Sequence, residues 1–364
     1  MPMKIKAAVF HGPNQPLTIE TLELDDPGPG EVLVKIKATG LCHTDLHIIE
    51  GHQPQPVPAV LGHESAGVVV AVGPDVSDLR EGDHVVPFLL PECGVCPNCQ
   101  SGKTNICLKI GERTGTDFSR LSRNGQRIHT FVGMGTFADH MVIAADRVAK
   151  VSEHASFEGA CYASCGGATG IGSVRRHDVD REALVAVFGL GGVGLNVVQG
   201  AALAGAKVII GVDTNDAKEA VARKLGLTHF INPDKVESVA AEIMAITVMG
   251  ATHSFECIGA PAVMREAIAA TNAFYGRCTI IGVAPSGSEL TTPVQQLSMG
   301  KTVGGLLMGG VKARSGLPSL VSEYAEGRVN FDDLISHRLK LDEINEGFAM
   351  MKQGLSTRTV ILFD

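Results

Sequence analysis

The stretch Leu184-Val185-Ala186-Val187-Phe188-Gly189-Leu190-Gly191-Gly192-Val193-Gly194 decides the fold. Its first five residues form an unbroken apolar run, the pattern of a strand buried on both faces. The glycines then open a helix that the pattern extends to Ala204. GxGxxG placed between a strand and a helix is the turn that cradles a dinucleotide. Gly189, Gly191, Gly192 and Gly194 allow a tight turn and close backbone approach, so that a pyrophosphate can sit on N–H groups at the helix N-terminus. The next apolar strand, Lys207 to Val212, leads to Asp213, nineteen positions after Gly194. A carboxylate there accepts hydrogen bonds from an adenosine ribose and repels a 2′-phosphate, which favours NAD over NADP. Lys218, a helical turn further on, is a cation that could also reach the ribose.

Outward from this turn the βαβ rhythm continues. A helix is expected from Asn215 to Leu225, and apolar runs recur at Ser254 to Cys257, Cys278 to Val283 and Thr302 to Met308. The economical reading is α/β, a doubly wound parallel sheet. From Lys4 to about Ile143 the pattern changes to short β-branched runs broken by Gly and Pro, such as Val32 to Lys37, Ser65 to Val72 and His84 to Pro87. A mostly β domain is expected there. Helical patterns at Leu317 to Glu326 and Ile344 to Lys352, with a final strand Thr359 to Phe363, are not placed by periodicity alone.

The chain's 364 residues exceed what one hydrophobic core usually organises, so two domains are expected. No apolar run approaches the roughly 18 residues of a membrane span. The N-terminal MPMKIKAAVFHGP lacks a signal-peptide pattern, and the expected location is cytoplasmic. A formal charge of −8 without clustered cations disfavours a nucleic-acid partner. In such a setting the nine cysteines point to metal ligands or buried thiols rather than disulfides.

Four of them, Cys93, Cys96, Cys99 and Cys107, form CxxCxxCx7C. Thiolates at such short spacing can close a tetrahedron around Zn²⁺ with no position left for substrate, which makes the site structural. Four reduced buried thiols fit poorly, because Glu92, Pro97, Asn98, Gln100 and Ser101 make the segment polar. An iron–sulfur cluster is the alternative metal.

Further motifs occur in one order along the chain: Gly40-Leu-Cys-His-Thr-Asp-Leu-His47, Gly62-His-Glu64, the four-cysteine lobe, Cys165-Gly-Gly-Ala-Thr-Gly170, the dinucleotide turn and Ile344-Asn-Glu-Gly-Phe348. With them the chain resembles the zinc-containing medium-chain alcohol dehydrogenases, from about Lys4 to Phe363. The resemblance implies a GroES-like catalytic domain, residues 1–167 and 309–364, around an NAD-binding domain, residues 168–308. It implies that Cys42, His63 and Cys165 hold a catalytic zinc with a fourth position open, and that the enzyme oxidises an alcohol by hydride transfer to NAD. Asp45 is then the carboxylate that orients His63, and Glu64 a transient ligand or a charge-tuning neighbour. Thr44 contacts the alcohol oxygen and passes its proton through the cofactor ribose to His47, whose imidazole suits exchange with solvent near neutrality. His43 and Arg358 match positions that contact the pyrophosphate, and Thr169 and Val193 positions that line the nicotinamide; Ile281 joins the cofactor set. A histidine at 43 in place of a permanent cation implies a weaker, more pH-dependent grip.

Within the family, the long loop between Cys107 and Thr136 resembles dimeric members, so a homodimer is expected, with a tetramer as alternative and Lys301 to Val311 as interface strand. Leu89, Phe131 and Val132 are expected to line an apolar pocket for medium-length or aromatic alcohols. The branch acting on glutathione adducts of formaldehyde usually carries an arginine four residues after the last lobe cysteine and acidic residues after the Cys-His-Thr-Asp motif. Gly111 and Gln53-Pro54-Gln55 stand at those places, so the expected substrate is a simple primary or secondary alcohol. A thiol-adduct formaldehyde dehydrogenase and a nicotinoprotein with permanently bound NAD are the alternatives.

Overall fold

The structure, a computed structural model, describes residues 2–114 and 119–364. Residues 115–118, inside the long loop expected between Cys107 and Thr136, lie outside the described residues. The chain divides into two compact units, Met1–Cys165 with Val311–Asp364, and Gly166–Gly310.

The discontinuous unit is built on two β-sheets. At the centre of the larger one lies the strand Glu31–Gly40, whose sequence alternates so that Val32, Val34, Ile36 and Ala38 are fully buried while Glu31, Leu33, Lys35 and Lys37 take the opposite face. Burying each of the three larger side chains stabilises this strand by about 1.5–3 kcal/mol. It pairs antiparallel with Ser65–Val72, with His140–Ala144 and, at its far end, with Thr359–Leu362. In that last pairing Val360 lies opposite Gly40 and Leu362 opposite Ala38. The C-terminal segment that periodicity left unplaced therefore returns to this sheet and sets Arg358 beside Leu41, whose carbonyl accepts from its Nη1 at 3.0 Å. The second sheet runs through Met3–Phe10 and Thr18–Leu24, and packs Ile5, Val9, Phe10 and Leu22 against Leu341, Ile344 and Phe348.

The continuous unit carries six parallel strands in the spatial order His229–Ile231, Val208–Val212, Leu184–Phe188, His253–Glu256, Arg277–Ile280, Thr302–Gly305. The chain reverses its direction of winding beside Leu184–Phe188, which puts the glycine turn at the switch point of the sheet, where ligands of doubly wound folds bind. Several boundaries depart from the sequence expectation: the strand expected from Cys278 to Val283 runs Arg277–Ile280, the one expected from Val32 to Lys37 runs Glu31–Gly40, and two further departures have a local cause. The helix expected from Asn215 starts at Lys218, because Asp213 and Asn215 fold the intervening residues into turns by accepting from the N–H groups of Asn215 and Ala217 at 2.9 and 3.0 Å. The strand expected to reach Met308 stops at Gly305, because Met308 and Gly309 adopt φ of 50° and 61° and turn the chain away. Among the described residues no helix is long and apolar enough to cross a membrane.

Candidate active site and metal centres

In the lobe, Cys93 and Cys99 sulfurs lie 3.9 Å apart and those of Cys96 and Cys107 3.8 Å apart. Bonds of about 2.3 Å to one tetrahedral zinc require edges of ~3.8 Å, so the four thiols enclose a single ion and not a multi-atom cluster. Backbone N–H groups of Cys96, Cys99 and Lys109 point at the sulfurs of Cys93, Cys96 and Cys107, each at 3.4 Å, which favours thiolates. Backbone donors hold the Cys96 thiol down to about 6, while burial and its cysteine neighbours push Cys99 up to about 12. Four such groups in contact ionise together only around a central cation. Glu92 accepts from the N–H groups of Arg314 and Ser315 at 2.7 and 2.9 Å, and Lys312 donates to the Cys99 carbonyl, so residues 311–315 clasp the lobe. Sequence patterning marked Glu92 only as part of a polar segment and did not single out Lys312.

The second set is assembled from distant parts of the chain. Cys42 caps the helix His43–Ile49, His63 precedes the strand Ser65–Val72, and Cys165 sits on a π-helical turn, Ala163–Gly167. Ligand atoms of Cys42, His63, Glu64 and Cys165 all lie within 4.8 Å of one another. Asp45 is buried, accepts from the Gly62 N–H at 2.9 Å and faces His63 Nδ1 at 3.1 Å, which leaves Nε2 turned toward the thiols. Gly62 adopts φ of +91°, and a side chain there would collide with Thr136 and Phe137, which explains the glycine before this histidine.

The electrostatics of this pocket call for positive charge. Hydrogen bonding to Cys165 pulls the Cys42 thiol well below its ordinary value, and the same contact with burial pushes Cys165 well above. The pair thus keeps one proton that a dication would displace. Burial alone would lower His63, yet Asp45 and the Cys42 thiolate raise it to about 10. A cation at Nε2 satisfies the same field, so the residues fit a zinc ion. Glu64 is fully buried and paired with Arg358, with 3.1 Å between Oε1 and Nη1. Arg358 is only 5% exposed and also lies over the Tyr162 ring, 4.5 Å from its centroid. Its guanidinium is thus held against Glu64 within the unit that bears the thiols.

Thr44 and His47 follow on the same helix, with Thr44 Oγ1 3.6 Å from the Cys42 sulfur. His43, on that helix, is exposed. Phe131 packs edge-on against His63, ring centroids 5.5 Å apart. Leu89 and Val132 are half-buried, and the Leu89 carbonyl accepts from Arg147 Nη2 at 3.1 Å. Arg147 is a residue that sequence reasoning missed. It is 1% exposed and also donates to the carbonyls of Phe88, Arg113 and Gly133, tying together the loops that carry Leu89 and Val132. An arginine flanking a short strand gives no sequence signal of such a role.

In the continuous unit, Gly189 takes φ of +90°, and a side chain on Gly194 would strike the Gly189 carbonyl, so both glycines are obligatory for the turn and for helix packing. A Cβ on Gly191 would project into open space, and Gly191 caps the helix Gly192–Leu203 without a side-chain hydrogen bond. That bare backbone suits a pyrophosphate. Asp213 closes the neighbouring strand, accepts from the Leu190 N–H at 2.8 Å and pairs with Lys218 Nζ at 2.8 Å. Val193 is half-buried on the first turn of the helix and Ile281 follows the strand Arg277–Ile280, both at the carboxyl edge of the sheet. Thr169 is buried on the helix Ala168–Arg176, with Oγ1 3.9 Å from the Met308 sulfur. Glu256, unmarked by the sequence, shapes the same edge by accepting from the N–H groups of Ile258 and Gly259 at 2.9 and 2.8 Å.

Comparison with known proteins agrees with this geometry. Residues 28–153 match the model of the alcohol dehydrogenase GroES-like domain, and residues 192–326 that of the zinc-binding dehydrogenases. The chain is 44% identical to S-(hydroxymethyl)glutathione dehydrogenase of Paracoccus denitrificans, over 99% of its length and all of the relative's. It is 43% identical to alcohol dehydrogenase class-3 of Cereibacter sphaeroides, with the same coverage. Among solved structures, benzyl alcohol dehydrogenase from Acinetobacter calcoaceticus superposes with a TM-score of 0.91 at 30% identity, covering both chains completely. Two metal sets of these compositions, one closed and one distributed, are the structural and catalytic zinc sites of an oxidoreductase, and the chain belongs to the zinc-containing medium-chain alcohol dehydrogenase family.

Proposed function

We propose that this chain oxidises a carbon bearing a hydroxyl group by two electrons, with NAD as hydride acceptor, and that Cys42, His63 and Cys165 hold the catalytic zinc. The observation that carries the reading is the convergence of two thiols and an oriented imidazole in a pocket that draws positive charge. Zinc bound there supplies Lewis acidity that makes an alcohol hydroxyl easier to deprotonate. Asp45 fixes the His63 tautomer, and the Glu64–Arg358 pair holds a neutralised carboxylate beside the ligands. Thr44 accepts the hydroxyl proton's hydrogen bond and His47 delivers that proton to solvent. Gly189, Gly191, Gly192 and Gly194 receive the pyrophosphate, and Asp213 with Lys218 receives the adenosine ribose; His43, Thr169, Val193, Ile281 and Arg358 complete the cofactor set. Residues 1–167 with 309–364, and 168–308, are the catalytic and NAD-binding domains.

The substrate reading divides. The curated relatives support an S-hydroxymethyl thiol adduct, in which –S–CH₂–OH loses a proton and a hydride to give the thioester –S–CHO, and this now outranks the simple-alcohol expectation. Gly111 and Gln53-Pro54-Gln55, which offer no anchor for an anionic thiol, together with the likeness to benzyl alcohol dehydrogenase, keep medium-length and aromatic alcohols as the second reading, with Leu89, Phe131 and Val132 as lining. The test is metal content alongside initial rates on hydroxymethylglutathione, octanol and benzyl alcohol, each with NAD and NADP. Two zincs with NAD-dependent turnover of the adduct above the free alcohols supports the first class; the reverse order supports the second, and fewer than two zincs sinks the ligand assignment. Turnover of dialysed protein without added NAD would reveal a permanently bound cofactor. A homodimer is proposed through the strand Thr302–Gly305, which ends the parallel sheet with Leu307, Leu297 and Met299 exposed nearby in sequence; light scattering of the purified chain tests it.

A further inference from the structure

The helix that begins at Cys42 ends in an unusual way. Glu50 is its C-cap, Gly51 takes φ of +78°, the Gly51 N–H donates to the Ile48 carbonyl at 3.0 Å and the His52 N–H to the His47 carbonyl at 2.8 Å. These two bonds form a Schellman motif, which brings the side chains three before and two after the cap into contact and usually fills that contact with apolar groups. Here both positions are histidine. His47 Nδ1 faces His52 Nδ1 at 3.4 Å, and His52 Nδ1 lies 3.6 Å from Glu50 Oε2. Bonds of about 2.1 Å to a tetrahedral zinc require ligand edges of ~3.4 Å, so two edges of such a site are in place, and one ligand atom from each of His47, Glu50 and His52 lies within 4.8 Å of the others. Lys352 occupies only the other carboxylate oxygen, Oε1, at 2.9 Å.

We propose that His47, Glu50 and His52 form a third, external metal site selective for zinc or a similar imidazole-seeking dication, and that a metal bound there suppresses turnover by taking His47 Nδ1. Two imidazoles select against magnesium and calcium, which prefer oxygen ligands. Lacking thiolates, the site binds more weakly than the other two sets and fills only when free zinc rises. Its inhibitory effect rests on the reading of His47 as the residue that passes the proton to solvent; the binding itself does not.

The experiment dialyses the two-zinc enzyme against increasing Zn²⁺, counts bound metal per chain, and compares the rate with and without added zinc for the wild type, H52Q and E50Q. His52 has a half-exposed side chain (51%), so its replacement leaves the helix end intact. The expected result is one additional zinc in the wild type, none in H52Q, and a rate lowered about tenfold or more by zinc in the wild type alone. A count that stays at two, or a third zinc retained by both variants, overturns the proposal. A third zinc that binds through His52 without slowing turnover keeps the site and removes His47 from the proton path.

Discussion

The two zinc sets differ in how the chain makes them. The lobe draws all four ligands from fifteen consecutive residues and orients them with backbone N–H groups of the same loop. The catalytic set draws its ligands from Cys42, His63 and Cys165, and each is presented by a different device: a helix cap, the residue before a strand and a π turn. A local site is a property of its own loop, whereas a distributed one is a property of the whole fold. Metal loss should therefore cost stability at the first and chemistry at the second.

The largest effect is expected from Cys42→Ala, which should lower zinc content from two to one per chain and reduce alcohol oxidation to background while the melting temperature moves little. Full activity in that variant would end the comparison. Cys99→Ala should instead release the lobe metal and cost several kcal/mol of stability, since metal binding free energy at such sites is folding free energy; calorimetry showing an unchanged transition would mean that the lobe holds its shape without zinc. Asp45→Asn sharpens the distributed side of the contrast, with rate or metal affinity expected to fall about 10–100-fold through loss of His63 orientation. Asp213→Ala should erase the preference for NAD over NADP by about tenfold or more, read from the ratio of kcat/KM for the two cofactors. The smallest effect is expected for Lys312→Met, which removes one hydrogen bond from the Cys99 carbonyl and should speed chelator extraction of the lobe zinc by an amount equivalent to about 1 kcal/mol.

The same contrast governs what could be read without coordinates. The strands Ser65–Val72, His84–Pro87 and Leu184–Phe188 carry their own periodicity, and the structure gives them those ends. CxxCxxCx7C likewise states its geometry in its spacing. Cys165 does not, because a π turn within a helical run leaves no compositional mark, and only the ordered motifs of the family pointed to it. Arg147, and the pairing of Arg358 with Glu64, were opaque for a related reason, although the resemblance marks Arg358 as a position that contacts the pyrophosphate. A fully buried guanidinium is intelligible only once the carbonyls or carboxylate around it are in place, and those come from residues 59 and 294 positions away. His52 escaped notice because the Schellman bond that folds it onto His47 depends on the conformation of Gly51.

The antiparallel register that places Val360 opposite Gly40 also orders events in time. The stretch Gly166–Gly310 is continuous and is complete before Val311–Asp364 are added, free to fold while those residues are still being made. The other unit must wait for its last strand. Until Arg358 emerges, Glu64 stands without the cation that neutralises it. Synthesis therefore completes the parallel sheet first and the metal-binding unit last, so a chain cut before Arg358 should still fold its parallel sheet and oxidise no alcohol.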